Sequence, residues 1–194
     1  MALAVITGAS SGIGAATAEL LAANGFQVIA AARRIDRLAD IAAKNKNIEA
    51  LQLDVTDQKS VDQFVEAINN RAIAVLINNA GGAFDSISIE KADPAVWQKT
   101  YEVNVIGALR ITKALLPNLR KHGKGHIVVI TSTAGHGVYE NGGSYTSAKH
   151  AELAFTQTLR LELNGEPIRV TEIAPGMVKT EEFSLNRLGD FAAA

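Results

Sequence analysis

Cysteine is absent from the 194 residues of this chain. Disulfide bonds, thiolate catalysis and metal sites with cysteine ligands are therefore all excluded, and nothing requires an oxidising compartment. The chain also lacks a long basic stretch. With a net charge of −1 and a pI of about 6.4, it offers no electrostatic basis for binding nucleic acid. No apolar run approaches the ~18 residues that a membrane span needs.

The N-terminal residues are apolar but are not typical of a secretion signal. They lack a basic leading segment, and the apolar run is only about six residues long. We therefore expect a cytoplasmic protein. Hydrophobic residues make up 47% of the chain and charged residues 20%. This composition is typical of a globular protein, and the length predicts one domain with a sizeable core over residues 1–194.

Short, almost wholly apolar runs alternate with segments of helical periodicity. The apolar runs are typical of strands buried on both faces of a parallel sheet, and they predict strands at 2–7, 27–32, 49–53, 72–77, 126–131 and 168–174. The periodic segments predict helices at about 13–24, 36–45, 57–70, 93–120 and 145–163. Ala16, Leu20 and Ala23 have the spacing of an apolar face in the first helix, and Asp93-Pro94 is typical of a helix start. The alternation predicts an α/β fold, a doubly wound parallel sheet with helices on both faces. We expect 177–194 to be irregular.

A glycine-rich loop, TGASSGIG at 7–14, follows the first predicted strand and opens the first helix. Gly8, Gly12 and Gly14 allow a tight turn and let a pyrophosphate approach the helix N-terminus, where amides and the helix dipole favour negative charge. A glycine triplet alone is also compatible with a plain strand-to-helix turn. The βαβ position favours a dinucleotide site.

The end of the second strand predicts the type of dinucleotide. Sites that prefer NAD place an acid there, whereas this chain has Ala31-Ala32-Arg33-Arg34. Two guanidinium groups hold a 2′-phosphate through charge-assisted hydrogen bonds, which favours NADP. The alternative interpretation is a solvated basic turn.

Several ordered motifs together resemble the short-chain dehydrogenase/reductase family over nearly the whole chain. Besides TGASSGIG they are Asp54-Val55, Asn78-Asn79-Ala80-Gly81, Asn104 in YEVNVIG, Ser132 in VVITSTAG, Tyr145-x-x-x-Lys149 and Pro175-Gly176. The resemblance implies a Rossmann-type sheet with strand order 3-2-1-4-5-6. It also implies a further helix and a seventh strand beyond Ala194, and a lid over the substrate at 177–194.

The resemblance further implies which residues hold NADP(H). Those near the phosphates and ribose are Gly8, Ser10, Ser11, Gly12, Ile13 and Gly14, with Arg33 and Arg34 at the 2′-phosphate. Asp54 and Val55 should flank the adenine, and Asn79, Ala80 and Gly81 should follow the adenosine and ribose. Pro175, Gly176, Val178 and Thr180 should lie near the nicotinamide.

Tyr145 and Lys149 lie at i and i+4, so a helix places them on one face. A free tyrosine, with a pKa near ~10, is a poor base at pH 7. A lysine ammonium and a positive nicotinamide ring favour the phenolate, which can then exchange a proton with an alcohol or carbonyl oxygen. Ser132, at the end of the fifth strand, can steady the same oxygen. The resemblance implies that Lys149 also binds the nicotinamide ribose and that Asn104 supports a water beside it. Taken alone, Tyr145 and Lys149 are equally compatible with a surface pair.

The substrate is the least determined feature. The pattern PGxVxTEF, together with AARR, is similar to NADP-dependent 3-hydroxy-acid (serine-type) dehydrogenases and small-carbonyl reductases. Arg187 and Lys179 are candidates to receive a substrate carboxylate, or they are solvated lid residues. His136 lies in a loop that should border the substrate. No metal is needed for this chemistry.

Two other functions compete with a carbonyl reductase or alcohol dehydrogenase. A catalytically silent NADP-binding regulator or scaffold usually loses the tyrosine or the lysine, and this chain has both. An epimerase or dehydratase usually has a further sugar-nucleotide domain, for which 194 residues leave no room. We expect a homodimer or homotetramer that uses the helices at 93–120 and 145–163.

Overall fold

A computed structural model describes residues 1–180 and 183–189. Six parallel strands form one sheet in the order β3-β2-β1-β4-β5-β6. Their bounds are β1 Leu3–Thr7, β2 Gln27–Ala32, β3 Ile48–Gln52, β4 Val75–Asn78, β5 Gly125–Ile130 and β6 Ile168–Ile173. The predicted parallel sheet and its strand order are confirmed. The seventh strand stays a prediction.

Helices connect the strands and cover the sheet. Their bounds are α1 Gly12–Ala23, α2 Ile35–Lys44, α3 Gln58–Ile68, α4 Pro94–Tyr101, α5 Gly107–His122, α6 Gly143–Glu162 and α7 Phe183–Leu188. The predicted start of α4 is confirmed, because the Asp93 side chain accepts a hydrogen bond from the Ala95 amide at 2.8 Å and Pro94 occupies the first turn. Within the described ranges, no helix is long and apolar enough to cross a membrane.

Two hydrophobic cores lie on opposite faces of the sheet because successive strand residues point to opposite sides. In β1, Leu3 and Val5 pack in the core that contains residues of α3, α5 and α6. Ala4 and Ile6 pack in the core beneath α1 and α2. Burial on both faces explains the apolar runs of β1, β2, β4 and β5. The prediction of burial on both faces is wrong for the edge strands β3 and β6, which expose residues such as Glu49, Arg169 and Thr171.

The predicted buried face of α1 is wrong. Ala16, Leu20 and Ala23 are exposed, with Leu20 63% accessible, whereas Gly14, Ala18 and Ala22 are buried. Alanine occurs on several faces of this helix, so periodicity alone does not select the face.

The predicted helix at 93–120 is confirmed in extent, since the chain is helical from Pro94 to His122. A π-helical segment, Glu102–Ile106, which was not predicted, separates α4 from α5. Within it, the Asn104 side-chain amide donates to the Thr100 oxygen at 2.7 Å and to the Gly82 oxygen at 2.8 Å. π-Bulges inside helices are frequent at functional sites.

The C-terminal stretch contains a helix, α7, where we expected irregular chain. The structure describes 177–180 and 183–189 of the predicted lid, and residues 181–182 and 190–194 lie outside the described part of the chain.

Candidate active site

The carboxyl ends of β1 and β4 are joined at the point where the strand order reverses. The Thr7 hydroxyl accepts hydrogen bonds from the amides of Asn79 and Ala80, both at 3.0 Å. The Asn79 side-chain amide donates to the Thr7 backbone oxygen at 2.9 Å. Open α/β sheets bind ligands in the crevice at this position. The predicted cofactor residues Asn79 and Ala80 therefore lie beside the glycine-rich loop.

The glycine-rich loop depends on the absence of side chains at two positions. Gly8 has φ 66°, and a Cβ there would lie 2.8 Å from the Ala80 Cα. A Cβ at Gly14 would lie 2.5 Å from Asn79 Nδ2. The loop thus packs tightly on the chain after β4 and leads directly into the N-terminus of α1. Thr180, from the predicted lid, also lies against this loop, because a Cβ at Gly12 would be 3.2 Å from its methyl carbon.

Arg34 reaches from the end of β2 onto the same loop. Its Nη2 donates to the Ser10 hydroxyl at 2.7 Å and to the Ser11 hydroxyl at 3.3 Å. Ser11 precedes the first turn of α1, where backbone N–H groups favour anions. A guanidinium beside a helix N-terminus and a glycine-lined turn form a cradle that fits a phosphorylated dinucleotide. Arg33 is exposed, and its backbone oxygen accepts a hydrogen bond from Gln52.

The predicted adenine-side residues follow β3, two strands from the loop. Asp54 Oδ1 accepts hydrogen bonds from the amide of Thr56 at 2.9 Å and from its hydroxyl at 2.7 Å. Val55 is buried against Gly107, where a Cβ would lie 2.6 Å from Val55 Cγ2. These contacts fix the turn after β3 at the same edge of the sheet.

Tyr145 and Lys149 lie on α6, and both are buried, at 7% and 4% exposure. The Lys149 ammonium nitrogen is 5.8 Å from the centroid of the Tyr145 ring. The interpretation as an ordinary surface pair is therefore wrong. Buried polar and charged groups at a sheet's ligand edge are candidates for chemistry.

The turn that carries Ser132 packs against Tyr145. Ala134 and Ala83 form a small buried cluster with the tyrosine ring. The Ser132 hydroxyl accepts a hydrogen bond from the Ala134 amide at 3.1 Å, which defines the turn after β5. The Thr133 amide donates to the Pro175 oxygen at 3.0 Å, so the chain after β6 joins the same edge. Val178 and Gly176 are exposed.

Asn104 is fully buried and is held near Lys149 through the loop after β4. Its Oδ1 accepts a hydrogen bond from the Gly82 amide at 3.2 Å. A Cβ on Gly81 would lie 2.5 Å from Asn104 Oδ1 and 3.6 Å from Lys149 Nζ. The structure thus brings together the four predicted catalytic residues, Asn104, Ser132, Tyr145 and Lys149, around one segment of α6.

Sequence reasoning missed Glu152, which contacts Lys149. Its Oε2 lies 2.5 Å from Lys149 Nζ, and its exposure is 1%. Burial raises the pKa of the Glu152 carboxyl, although the charge and hydrogen bond of Lys149 act in the opposite direction. The i, i+3 spacing from Lys149 is a signal that could have identified it.

A second missed acid, Glu172 on β6, explains the position of His136. Glu172 accepts hydrogen bonds from the Thr131 hydroxyl at 2.6 Å and from His136 Nε2 at 2.8 Å. Partial burial raises the pKa of Glu172, but these hydrogen bonds and the positive charges of His136 and Arg160 outweigh it, so the net shift is downward. His136 therefore pairs with a glutamate at the end of the sheet.

The two candidate carboxylate receptors differ clearly in their surroundings. Arg187 on α7 has its Cζ 5.1 Å from the Tyr139 ring centroid and 6.0 Å from that of Tyr145. Its Nε donates to the Asp85 backbone oxygen at 3.4 Å, and the Asp85 side chain accepts a hydrogen bond from Ser144. Lys179 is exposed. Arg187 thus lies 6.0 Å from the Tyr145 ring centroid, whereas Lys179 is exposed. In the part of the chain that is described, no three His, Asp or Glu side chains group as metal ligands.

Comparisons with known proteins agree with this geometry. The sequence profile described as short chain dehydrogenase matches residues 2–187. The chain is 50% identical over 185 residues to an uncharacterised oxidoreductase of Mycobacterium tuberculosis, covering 95% of this chain and 72% of that protein. It is 35% identical to the NADP-dependent 3-hydroxy acid dehydrogenase of Salmonella typhi, covering 94% and 75%. The closed form of a serine dehydrogenase complexed with NADP⁺ superposes with a TM-score of 0.93 at 33% identity, covering 99% of this chain and 79% of that one.

Proposed function

Because the chain belongs to the short-chain dehydrogenase family, we propose that it is an NADP(H)-dependent oxidoreductase that interconverts a small 3-hydroxy acid, such as serine, and the corresponding carbonyl compound. The observation that carries this proposal is the buried Tyr145, flanked by Lys149 at 5.8 Å and Arg187 at 6.0 Å from its ring centroid. These two cations attract an anionic substrate to the position of the phenol.

Tyr145 exchanges the proton in this reaction. In reduction its hydroxyl donates a proton to the carbonyl oxygen, and in oxidation its phenolate accepts the proton of the substrate alcohol. Ser132 donates a hydrogen bond to the same oxygen and holds it near the tyrosine. Lys149 stabilises the phenolate, and Asn104 holds the loop beside Lys149 through Gly82. When bound, NADP(H) supplies the hydride chemistry.

The proposed cofactor preference rests on Arg34. Its hydrogen bonds to Ser10 and Ser11 hold a guanidinium over the glycine-rich loop, where a 2′-phosphate can exchange for these weaker, neutral acceptors. Arg33 adds a second positive charge from the exposed side. Asp54, Val55, Asn79 to Gly81 and Pro175 to Thr180 complete the proposed cofactor contacts. One relative is named as NADP-dependent, and the similar serine dehydrogenase structure is complexed with NADP⁺.

The proposed substrate class rests on Arg187. Arg187 lies 6.0 Å from the centroid of the Tyr145 ring. When the hydroxyl oxygen of a substrate contacts Tyr145, a carboxylate close to that oxygen in the same substrate is within reach of Arg187. The named relatives act on a 3-hydroxy acid and on serine, and both substrates carry a carboxylate. We therefore assign Arg187, rather than Lys179, as the carboxylate receptor.

Replacing Arg187 by glutamine should raise KM for anionic substrates about tenfold or more, because a charge-assisted hydrogen bond is lost. Turnover of an uncharged ketone should change little. The measurement is NADPH oxidation with a panel of 3-oxo acids, small aldehydes and ketones, and NADP-linked oxidation of L-serine and 3-hydroxy acids in reverse.

Lys179→Gln is the matched control, since it removes an exposed cation from the same lid and should leave KM unchanged. The assignment would be contradicted if Arg187→Gln and Lys179→Gln raised KM for anionic substrates equally. It would also be contradicted if Arg187→Gln raised KM for charged and uncharged substrates equally. A wild-type protein that binds NADPH but turns over no member of the panel would support the silent regulator instead.

We also propose that the protein is a homodimer or homotetramer, in which α4, α5 and α6 meet a second copy. Tyr101, Leu109 and Leu161 on these helices are large, apolar and exposed. An open groove of about 670 Å³ runs between α4 and α6 and is lined by residues that include Trp97, Tyr101 and Ala148. Exposed apolar residues beside a groove are candidates for an interface. Sedimentation that shows only monomer at micromolar concentration would contradict this assembly.

A further inference from the structure

Lys149 shares its buried position with a carboxylate of the same helix. Glu152 Oε2 lies 2.5 Å from Lys149 Nζ, and the exposed fractions of the two side chains are 2% and 5%. Lys149 Nζ also donates to the Ile130 oxygen at the end of β5, at 3.1 Å. An ammonium has three N–H donors. Two of these N–H groups therefore point at Glu152 Oε2 and at the Ile130 oxygen of β5. The direction of the third N–H group follows from the geometry of the ammonium.

The charge balance around Lys149 follows from this pair. A lone ammonium near Tyr145 would act on the phenol with its full charge, whereas a carboxylate in contact with the ammonium cancels much of that field. Burial magnifies the effect, because little water screens the two groups. Glu152 thus reduces the positive potential at Tyr145 while it holds Lys149 in place.

Among the residues that the structure describes, the charged groups that act on Glu152 are Lys149 on its own helix and Glu172 on β6. Glu172 is itself hydrogen-bonded to Thr131 and His136. Burial and Glu172 raise the pKa of Glu152, and the contact with Lys149 favours its ionised form. The net shift of the Glu152 pKa is upward. The 2.5 Å contact between Glu152 Oε2 and Lys149 Nζ has the geometry of a buried ion pair.

We propose that Glu152 is a positioning residue of the reaction site, which fixes the Lys149 ammonium and partly neutralises it, and thereby sets the pH at which Tyr145 exchanges its proton. The inference rests on the proposed role of Tyr145 as the proton-exchanging group. It adds that Lys149 acts on this tyrosine as part of a Lys149–Glu152 pair, while Arg187 lies 6.0 Å from the ring centroid as a second cation.

Glu152→Gln keeps the length and an acceptor oxygen of the side chain but removes its charge. Removing a negative charge stabilises the deprotonated forms of its neighbours, so the phenolate of Tyr145 should form at lower pH, by about one unit. The measurement uses a Tyr101→Phe, Tyr139→Phe background in which Tyr145 is the single tyrosine of the three in the chain. Ultraviolet difference absorption then follows the phenolate against pH, without substrate or cofactor, while circular dichroism verifies the fold.

Two variants in the same background separate charge from packing. Glu152→Asp keeps the charge. The midpoint of its Tyr145 titration should stay within about half a pH unit of that of the parent. Thr156→Val removes a fully buried hydroxyl that donates to the Glu152 backbone oxygen. It should lower stability without moving the midpoint. If Glu152→Gln does not fold, Glu152→Met, which is also uncharged and of similar length, takes its place.

An unchanged or higher midpoint in a folded, uncharged variant would overturn the proposal. The proposal would also be overturned if Glu152→Asp shifted the midpoint of the Tyr145 titration as far as Glu152→Gln does. Because the titration uses no substrate, its result is independent of the substrate assays. A shifted midpoint together with absent turnover would count against the proposed function alone.

Discussion

Tyr145→Phe should lower kcat in both directions by about 10²- to 10⁴-fold, the range that a positioned general acid or base contributes. The variant loses the hydroxyl but keeps the ring that packs on Ala83 and Ala134. The fold and the cofactor cradle should therefore stay intact. The measurement pairs steady-state oxidation of NADPH with a direct titration of NADPH binding by fluorescence.

Tyr101→Phe provides the control for this experiment. It makes the same chemical change at an exposed position on α4 and should leave kcat unaltered. If Tyr145→Phe kept more than about a tenth of the parent's turnover, the tyrosine would not be the proton-exchanging group. Loss of NADPH binding together with turnover would instead indicate a role in the cradle.

Arg33→Ala combined with Arg34→Ala should weaken NADPH binding by about 1.5–3 kcal/mol, roughly 10- to 100-fold, because charged hydrogen bonds to the 2′-phosphate are lost. NADH lacks this phosphate, so its affinity should change far less. The measurement is the dissociation constant of each dinucleotide at one fixed ionic strength, since salt screens these contacts.

The single variants divide the effect between the two arginines. Arg34 already lies over the glycine-rich loop through Ser10 and Ser11, so Arg34→Ala should account for most of the loss. Lys44→Ala is a matched control, because it removes an exposed cation on α2 that pairs with Glu19 outside the loop. Equal losses for NADPH and NADH would refute the 2′-phosphate assignment.

Local sequence patterns were enough to predict those structural features that depend on residues close together in the chain. The strand order was implied by the family resemblance, and the six apolar runs became six parallel strands because both faces of the sheet are covered. The start of α4 followed from Asp93-Pro94 alone. By contrast, the buried face of α1 was predicted wrongly, because alanine on several faces makes the periodicity ambiguous. The helix at 93–120 was predicted in extent, but its π-helical segment was not, and Asn104 in that segment bonds to Gly82, 22 residues earlier, which no local pattern shows.

The sequence by itself determined the fold class, the glycine-rich loop and the spacing of Tyr145 and Lys149, since each is written in local periodicity or in short motifs. The tertiary structure alone decided what surrounds the tyrosine. It buried the pair, placed Arg187 6.0 Å from the ring centroid while Lys179 is exposed, and put Glu152 in contact with Lys149. These outcomes depend on burial and on how distant segments pack, and the strength of a charge depends on both. The physical chemistry of this site is therefore a property of the folded chain.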